Sequence, residues 1–217
     1  MSTILSVNVG TPREVEFRGR MVSTAIYKEP VMGAVRVEGV NVHGDDQADR
    51  HNHGGTHKAV YAYAAEDYEW WSSGHRAARH SSPGTFGENL TTRGIDVTGA
   101  VIGQQWTIGD VVLEVSEPRI PCFKLGIRMD DPRFPIEFAN AGRPGAYLRI
   151  IEEGEVSAGA PVELGPPPGH GITVGDIARI HHRQHDAAGR LLTVPQLAES
   201  WKNWARRVLA EKASADS

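Results

Sequence analysis

The sequence predicts a mainly β protein, an antiparallel β-barrel with a small helical appendage. Three observations carry that expectation. Short β-prone segments recur through residues 1–165 with few helical patterns between them. A glycine- and proline-rich run, Gly165-Pro-Pro-Pro-Gly169, then interrupts the chain as an extended, semi-rigid spacer. Beyond it the hydrophobic pattern turns helical. The expected domains are a barrel over residues 1–165 and an α-helical unit over residues 170–212.

In chain order, residues 4–9 alternate weakly and read as a first strand. Residues 24–27 and 32–37 are short β-prone segments, and residues 58–64 are another, rich in Val and Tyr. Residues 65 to about 79 read as a helix, with Glu66 and Asp67 early and Arg76 and Arg79 late, the order that suits the helix dipole. Gly74 ends or weakens it. The clearest signal is a hairpin of residues 101–108 and 111–117 around Gly109-Asp110. In its second strand Val111, Leu113 and Val115 should face the core, and Val112, Glu114 and Ser116 should face outward. Pro118 and Pro121 lack an N–H donor and stop the ladder, leaving Cys122 on a braced loop. Residues 135–141 read as a short helix closed by Gly142, and residues 146–151 and 161–164 as late strands. In the tail, Thr173 with Asp176 and Thr193 with Gln196 resemble capping boxes. Leu197, Trp201, Trp204 and Val208 recur at spacings of four, three and four, one apolar stripe on an amphipathic helix. Residues 213–217 should fray.

Composition limits the function classes. Of the 217 residues 40% are hydrophobic and 23% charged, ordinary globular usage for a chain long enough to bury a core. A formal net charge of −4 argues against a general nucleic-acid binder. One cysteine excludes an internal disulfide and suits a reducing compartment. The N-terminus lacks a basic stretch leading into an apolar one, and no run reaches the ~18 apolar residues a bilayer span requires. The expectation is a cytoplasmic protein that partners neither nucleic acid nor membrane.

Three segments hold the candidates for chemistry: residues 44–63, 84–93 and 116–125. In the first, His51 and His53 would share one face of a strand and His57 follows four residues on. That spacing suits zinc or iron, with Glu66 a weak candidate for a further ligand, although loop histidines commonly need no ligand. His53 precedes Gly54-Gly55, where the backbone can approach a ligand closely. In the third segment Cys122 is either a small buried hydrophobe or a functional thiol. Arg119 and Lys124 flank it, and positive charge favours the thiolate that binds metals and attacks electrophiles.

Taken together, the motifs resemble those of the MOSC family, named for the C-terminal domain of molybdenum cofactor sulfurases, and within it the YiiM-type branch. The family's G-D-x-Q-A, H-G-G and K/R-A match Gly44-Asp45-Asp46-Gln47-Ala48, His53-Gly54-Gly55 and Lys58-Ala59. Its F-G-E-N-L matches residues 86–90, and its Q/E-P-R-x-P-C-x-K-L matches residues 117–125. The resemblance covers residues 1–165, and the tail resembles the three-helix domain that follows the barrel in this branch.

The resemblance implies a MOSC-type β-barrel and a molybdenum–molybdopterin cofactor with Cys122 as metal ligand and catalytic residue. Lys58, Arg119, Lys124 and Arg50 become candidates to bind its anionic tail, with Arg93 nearby in sequence. The N–H groups of Gly54 and Gly55 could assist, Asn89 could bond a pterin edge, and Glu88 could hold a loop. Relatives in the wider family reduce N-hydroxylated bases and amidoximes, and the branch resembles proteins linked to detoxifying 6-N-hydroxylaminopurine. The family is also associated with pyridoxal phosphate binding. A small N-hydroxylated substrate releases water on reduction, so a proton donor is required, and His53 is the candidate. One cysteine cannot hold an iron–sulfur cluster, which points to an external redox partner protein. Two alternatives stay open: a sulfur carrier acting through a Cys122 persulfide, and a protein that stores or delivers the cofactor. His51 and His57 fall outside the family motif. Trp201 and Trp204 are candidates either for core packing or for a homodimer contact.

Overall fold

The structure, a computed structural model, describes residues 1–46, 54–73 and 82–215. Its strands are β1 (Thr3–Val9), β2 (Arg13–Phe17), β3 (Arg20–Thr24), β4 (Glu29–Pro30), β5 (Val35–Glu38), β6 (Asn41–Val42) and β7 (Val60–Ala64). There follow β8 (Leu90–Arg93), β9 (Gln105–Ile108), β10 (Val111–Pro118), β11 (Ala146–Glu152), β12 (Gly154–Val156) and β13 (Glu163–Leu164). The α-helices are α1 (Ala65–Ser72), α2 (Phe123–Arg128), α3 (Phe134–Ala141), α4 (Val174–Arg183) and α5 (Glu199–Ala215).

Eight strands form one sheet in the order β13-β9-β10-β11-β7-β8-β1-β4. Neighbours are antiparallel except β7 and β8, which run parallel because α1 connects them as a crossover. The sheet curls until its flanks meet. Thr3 of β1 bridges Pro161 just ahead of β13, and the Ile4 N–H donates to the Ala160 carbonyl at 2.9 Å. Inside lie Ile4, Leu90, Ile102, Trp106, Leu113, Val115 and Leu148, all fully buried. Strand and helical residues are about equal in number, since short helices fill the crossovers and the tail.

β9 and β10 form the expected hairpin, with Gly109 at φ 58 in its turn. Val111, Leu113 and Val115 are buried as their alternation predicts. The outward assignment of Glu114 and Ser116 does not hold, because both are buried. Arg149 of β11 pairs with Glu114, and α4 packs against β10. The ladder runs to Pro118, opposite Ala146, and a register shift between Val115 and Glu117 leaves Ser116 to donate to the His57 carbonyl.

Other expectations shift in detail. β3 ends at Thr24, so residues 25–28 are a pinned loop rather than a strand. The helix expected from residue 65 is α1, which closes at Ser72 with Ser73 as its cap; Gly74, Arg76 and Arg79 lie outside the described residues. Thr173 and Asp176 form the expected capping box on α4. Thr193 does not cap a helix. It ends a 3-10 stretch, His185–Thr193, and its hydroxyl donates back to the Arg190 carbonyl at 2.9 Å. Pro195 biases Val194 toward the extended φ −96, ψ 104 seen there, which delays α5 to Glu199.

The tail buries Val174, Ile177, Ile180, Leu191, Val194, Leu197 and Trp201 in the same apolar cluster as Trp106 and Leu113 of the barrel. A second cluster, Tyr63, Trp71, Phe86, Phe134 and Phe138, joins α1 and α3 to the outside of the sheet. Among the described residues no helix is long and apolar enough to cross a membrane.

Candidate functional site

The site gathers where β7, β10 and β11 lie side by side. Their register sets Glu117 opposite Tyr147 and Tyr147 opposite Tyr61. Immediately past β10, Arg119 turns inward and is only 7% exposed. Cys122 is half-buried and extended at φ −122, ψ 175, in the N-cap position of α2, and the Leu125 N–H bonds its carbonyl at 3.0 Å. A pocket opens between these residues and the loop of residues 25–28. Cys122, Arg119, Lys58, Lys124, Asn89, Tyr61 and Tyr147 all line it, with Ile26 and Lys28 on the loop side.

Arg119 is the unusual group. Its Nη1 is buried and has no hydrogen-bond partner among the described residues. Its guanidinium carbon lies 5.4 Å from the centre of the Tyr61 ring and 5.5 Å from that of Phe138. Burial works against its charge, but Tyr61, Tyr147 and the Cys122 thiol outweigh that and hold it protonated. Burial pushes the Tyr147 phenol up to about 12, against the opposing pull of Arg119. A buried cationic nitrogen without a partner costs several kcal/mol, so an anion that reached it would meet a donor already desolvated.

Lys58, at the end of the 3-10 turn Thr56–Lys58, lies 3.6 Å from Glu117 Oε1. Burial raises the Glu117 pKa, opposed by Lys58 and by a hydrogen bond from Trp201 of α5. On the opposite wall Lys28 pairs with Asp45, their side chains 9% and 1% exposed. Asp45 also accepts from the Gly10 N–H at 2.8 Å and from Asn89 Nδ2 at 2.9 Å. Burial lowers the Lys28 pKa, with Asp45 opposing.

The sequence candidates fall into three groups. Cys122, Lys58, Arg119, Lys124 and Asn89 come together in the pocket. Asn89 uses its amide inside the fold: Nδ2 donates to Asp45 and to the Asn8 carbonyl, and Oδ1 accepts from the Tyr61 N–H at 3.1 Å. Glu88 holds its loop, Oε1 accepting from Tyr68 at 2.6 Å, Gly84 N–H at 2.7 Å and Thr91 at 2.8 Å. Gly54 and Gly55 are not among the described pocket-lining residues; Gly55, at φ 96, precedes the turn that carries Lys58. His53, Arg50 and His51 lie outside the described residues. Among the described residues no three His, Cys, Asp or Glu side chains cluster as a metal site. Glu66 accepts from the Gly94 N–H at 2.7 Å, and Arg93 pairs with Glu69 at 3.4 Å.

Sequence reasoning missed Lys28, Tyr61 and Tyr147. The two tyrosines stood in recognised β segments, where only strand register reveals their common neighbour.

The donor set suits a cofactor that combines a soft metal with an anionic tail. The half-buried sulfur of Cys122 is the soft ligand such a metal prefers, and Arg119, Lys58 and Lys124 are the cations its tail requires. The site is thus a pocket of a barrel protein that sets one thiol beside cationic side chains. The chain belongs to the MOSC domain family, whose model matches residues 49–163. It is 38% identical to the uncharacterized protein YflK of Bacillus subtilis over 205 residues, 92% of this chain and 91% of that one. To protein YiiM of Escherichia coli it is 33% identical over 183 residues, 82% of this chain and 81% of YiiM. A protein of Gibberella moniliformis named reductase is 33% identical over 200 residues, 89% of this chain but 35% of that longer protein. The crystal structure of YiiM from Geobacillus stearothermophilus has the same fold, with a TM-score of 0.77 at 28% identity over 96% of this chain and 100% of that one. These similarities place the chain in the YiiM-type branch.

Proposed function

We propose that this protein is a molybdenum-cofactor-dependent reductase of small N-hydroxylated compounds, N-hydroxylated purine bases being the substrate class. The observation that carries the reading is the shared pocket of the half-buried Cys122 and the buried, unpartnered Nη1 of Arg119. The reductase name of one relative supports it. When bound, a molybdenum–pterin supplies a redox centre that transfers two electrons.

The residues of the chain bind and orient. Cys122 gives its sulfur to the metal. Arg119, Lys58 and Lys124 hold the anionic tail. Tyr61 and Tyr147 wall the pocket and exclude water from Arg119. Electrons come from an external donor protein, because one cysteine cannot hold an iron–sulfur cluster. The setting is the cytoplasm, where a lone thiol stays reduced.

The test is elemental analysis of protein made in a host that builds the cofactor, comparing wild type with Cys122→Ser. Molybdenum is expected in the first and little in the second, together with reduction of an N-hydroxylated purine when a competent electron donor is supplied. Equal metal in both overturns the ligand assignment. A persulfide on Cys122 without pterin assigns sulfur transfer instead, and stoichiometric molybdenum without turnover assigns storage.

A further inference from the structure

Lys28 stands in the wall of the Cys122 pocket, yet it belongs to none of the motifs that mark the site. The surrounding chain holds it at one place. A Cβ on Gly84 would lie 2.4 Å from the Lys28 carbonyl oxygen, and one on Gly10 would lie 2.7 Å from the Tyr27 oxygen and 3.2 Å from Lys28 Cγ. A Cβ on Gly87 would lie 3.0 Å from Ile26 Cγ1. Three glycines therefore close on residues 25–28, and only glycine leaves them room.

The ammonium is positioned as tightly. Among the described residues Asp45 takes one of its three N–H donors, and Asp45 is itself fixed by Gly10 and Asn89. An ion pair buried this deeply is not a strong source of stability, since a well-packed apolar pair of similar volume does as well. Its position in the pocket wall gives it another use.

We propose that Lys28 is the proton donor to the oxygen that leaves during N–OH reduction. The proposal rests on the reductase reading. In that reaction R–NH–OH, two electrons and two protons give R–NH2 and water. The N–O bond breaks and nitrogen keeps the electron pair supplied by the external donor protein. Lys28 gives its proton to the departing hydroxyl oxygen, which leaves as water, and solvent protonates the nitrogen. The neutral amine of Lys28 then recovers a proton from solvent. The other acids of the pocket are less suited. Arg119 does not release a proton, the Tyr61 hydroxyl already donates to the Pro144 carbonyl at 2.8 Å, burial pushes the Tyr147 phenol up to about 12, and the Lys58 side chain is 29% exposed against 9% for Lys28. Burial makes the Lys28 ammonium a readier donor, against the opposing charges of Asp45 and Glu88; Asp46, Lys58, Tyr61, Arg119, Cys122, Lys124 and Tyr147 complete the charged and titratable groups that line the pocket with it.

The experiment compares wild type, Lys28→Arg, Lys28→Met and His53→Gln, all made with cofactor. Lys28→Arg keeps the ion pair with Asp45 but cannot release a proton. It should hold wild-type molybdenum and KM while kcat for an N-hydroxylated purine falls about 100-fold, the scale of one lost general acid. The alkaline limb of the wild-type profile should be absent from both Lys28 variants and kept in His53→Gln. In cofactor-free wild type, pH-dependent acylation of the Lys28 amine, read by mass spectrometry, should titrate below an ordinary lysine. Unchanged kcat in Lys28→Arg, an alkaline limb lost in His53→Gln instead, or ordinary lysine titration overturns the assignment. Molybdenum falling in step with kcat makes Lys28 a cofactor clamp and overturns it as well. If molybdenum-loaded wild type reduces no N–OH compound, the reductase reading fails first and this assignment falls with it.

Discussion

Trp201 of the last tail helix and Glu117 of the strand that leads into the Cys122 pocket line one cleft, where the indole helps hold the Glu117 carboxyl down against burial. Glu117 is 4% exposed and also faces Lys58, so the tail bears on a pocket cation through one carboxylate. Replacing Trp201 with Ala removes a ring that is 8% exposed and should cost about 3–5 kcal/mol in denaturant unfolding. Trp201→Phe keeps most of that packing and removes the donor. It should cost less than half as much, while the Glu117 carboxyl, titrated by carbon NMR, shifts further upward. Equal losses in the two variants would show that packing alone matters there.

His181 makes the tail sensitive to acid. Its ring meets Trp201 and Trp204 at centroid distances of 5.4 and 5.1 Å, and its Nδ1 is buried without a partner among the described residues. Burial first, then His182 and His185, lower its pKa from 6.5 to about 4. The folded state thus binds this proton less readily than the unfolded state does. The stability that comes from neutral His181 is fully present above pH 6.5 and is lost as pH falls from 6.5 through about 4. Tryptophan emission should report loosening of the tail over that interval. His181→Phe keeps an aromatic ring and should flatten the response; an unchanged acid transition in that variant would assign it to other groups.

Gly84 tests whether the Lys28 loop must be pinned. Gly84 sits at φ 84, and an added Cβ would lie 2.4 Å from the Lys28 carbonyl oxygen. Gly84→Ala should cost more than about 1 kcal/mol and displace Lys28, with molybdenum content or turnover falling beside the melting temperature. Gly159 is the control. It has φ 86 with nothing within 4 Å of its missing Cβ, so Gly159→Ala carries only the strain of the left-handed backbone. Equal effects from both substitutions would remove the packing explanation.

The difference between Cys122 and Lys28 shows what a sequence displays. Cys122 and Arg119 stand three residues apart in one motif, and their meeting needs only a local turn. Lys28 is a lone lysine just past a β-prone stretch. Its burial arises from Gly10, Asp45, Gly84 and Asn89, which only the closed barrel brings to it. The same logic applies to the fold. The hairpin of β9 and β10 was legible because its apolar residues alternate about a Gly-Asp turn, and α3 because Gly142 at φ 66 closes it. The burial of Glu114 was not, because its partner Arg149 lies on a strand that follows two helices later. Thr193 misled because a capping pattern is local, whereas Pro195 two residues on prevented the helix it would have capped.

Arg119 separates stability from function most sharply. A guanidinium at 7% exposure with an unpartnered Nη1 burdens the folded state, and its ring contacts only partly offset that burden. Arg119→Met keeps much of the side-chain volume and removes the charge. If the nitrogen waits for an anion, the variant should unfold at the same denaturant concentration or higher, gaining about 1–3 kcal/mol, yet retain little molybdenum. The Tyr147 phenol, pushed up to about 12 in the wild type, should rise further once the opposing cation is gone. A variant that loses stability but keeps its molybdenum would mean that Arg119 is a structural cation held by Tyr61 and Tyr147, and the anion would have to be bound elsewhere in the pocket.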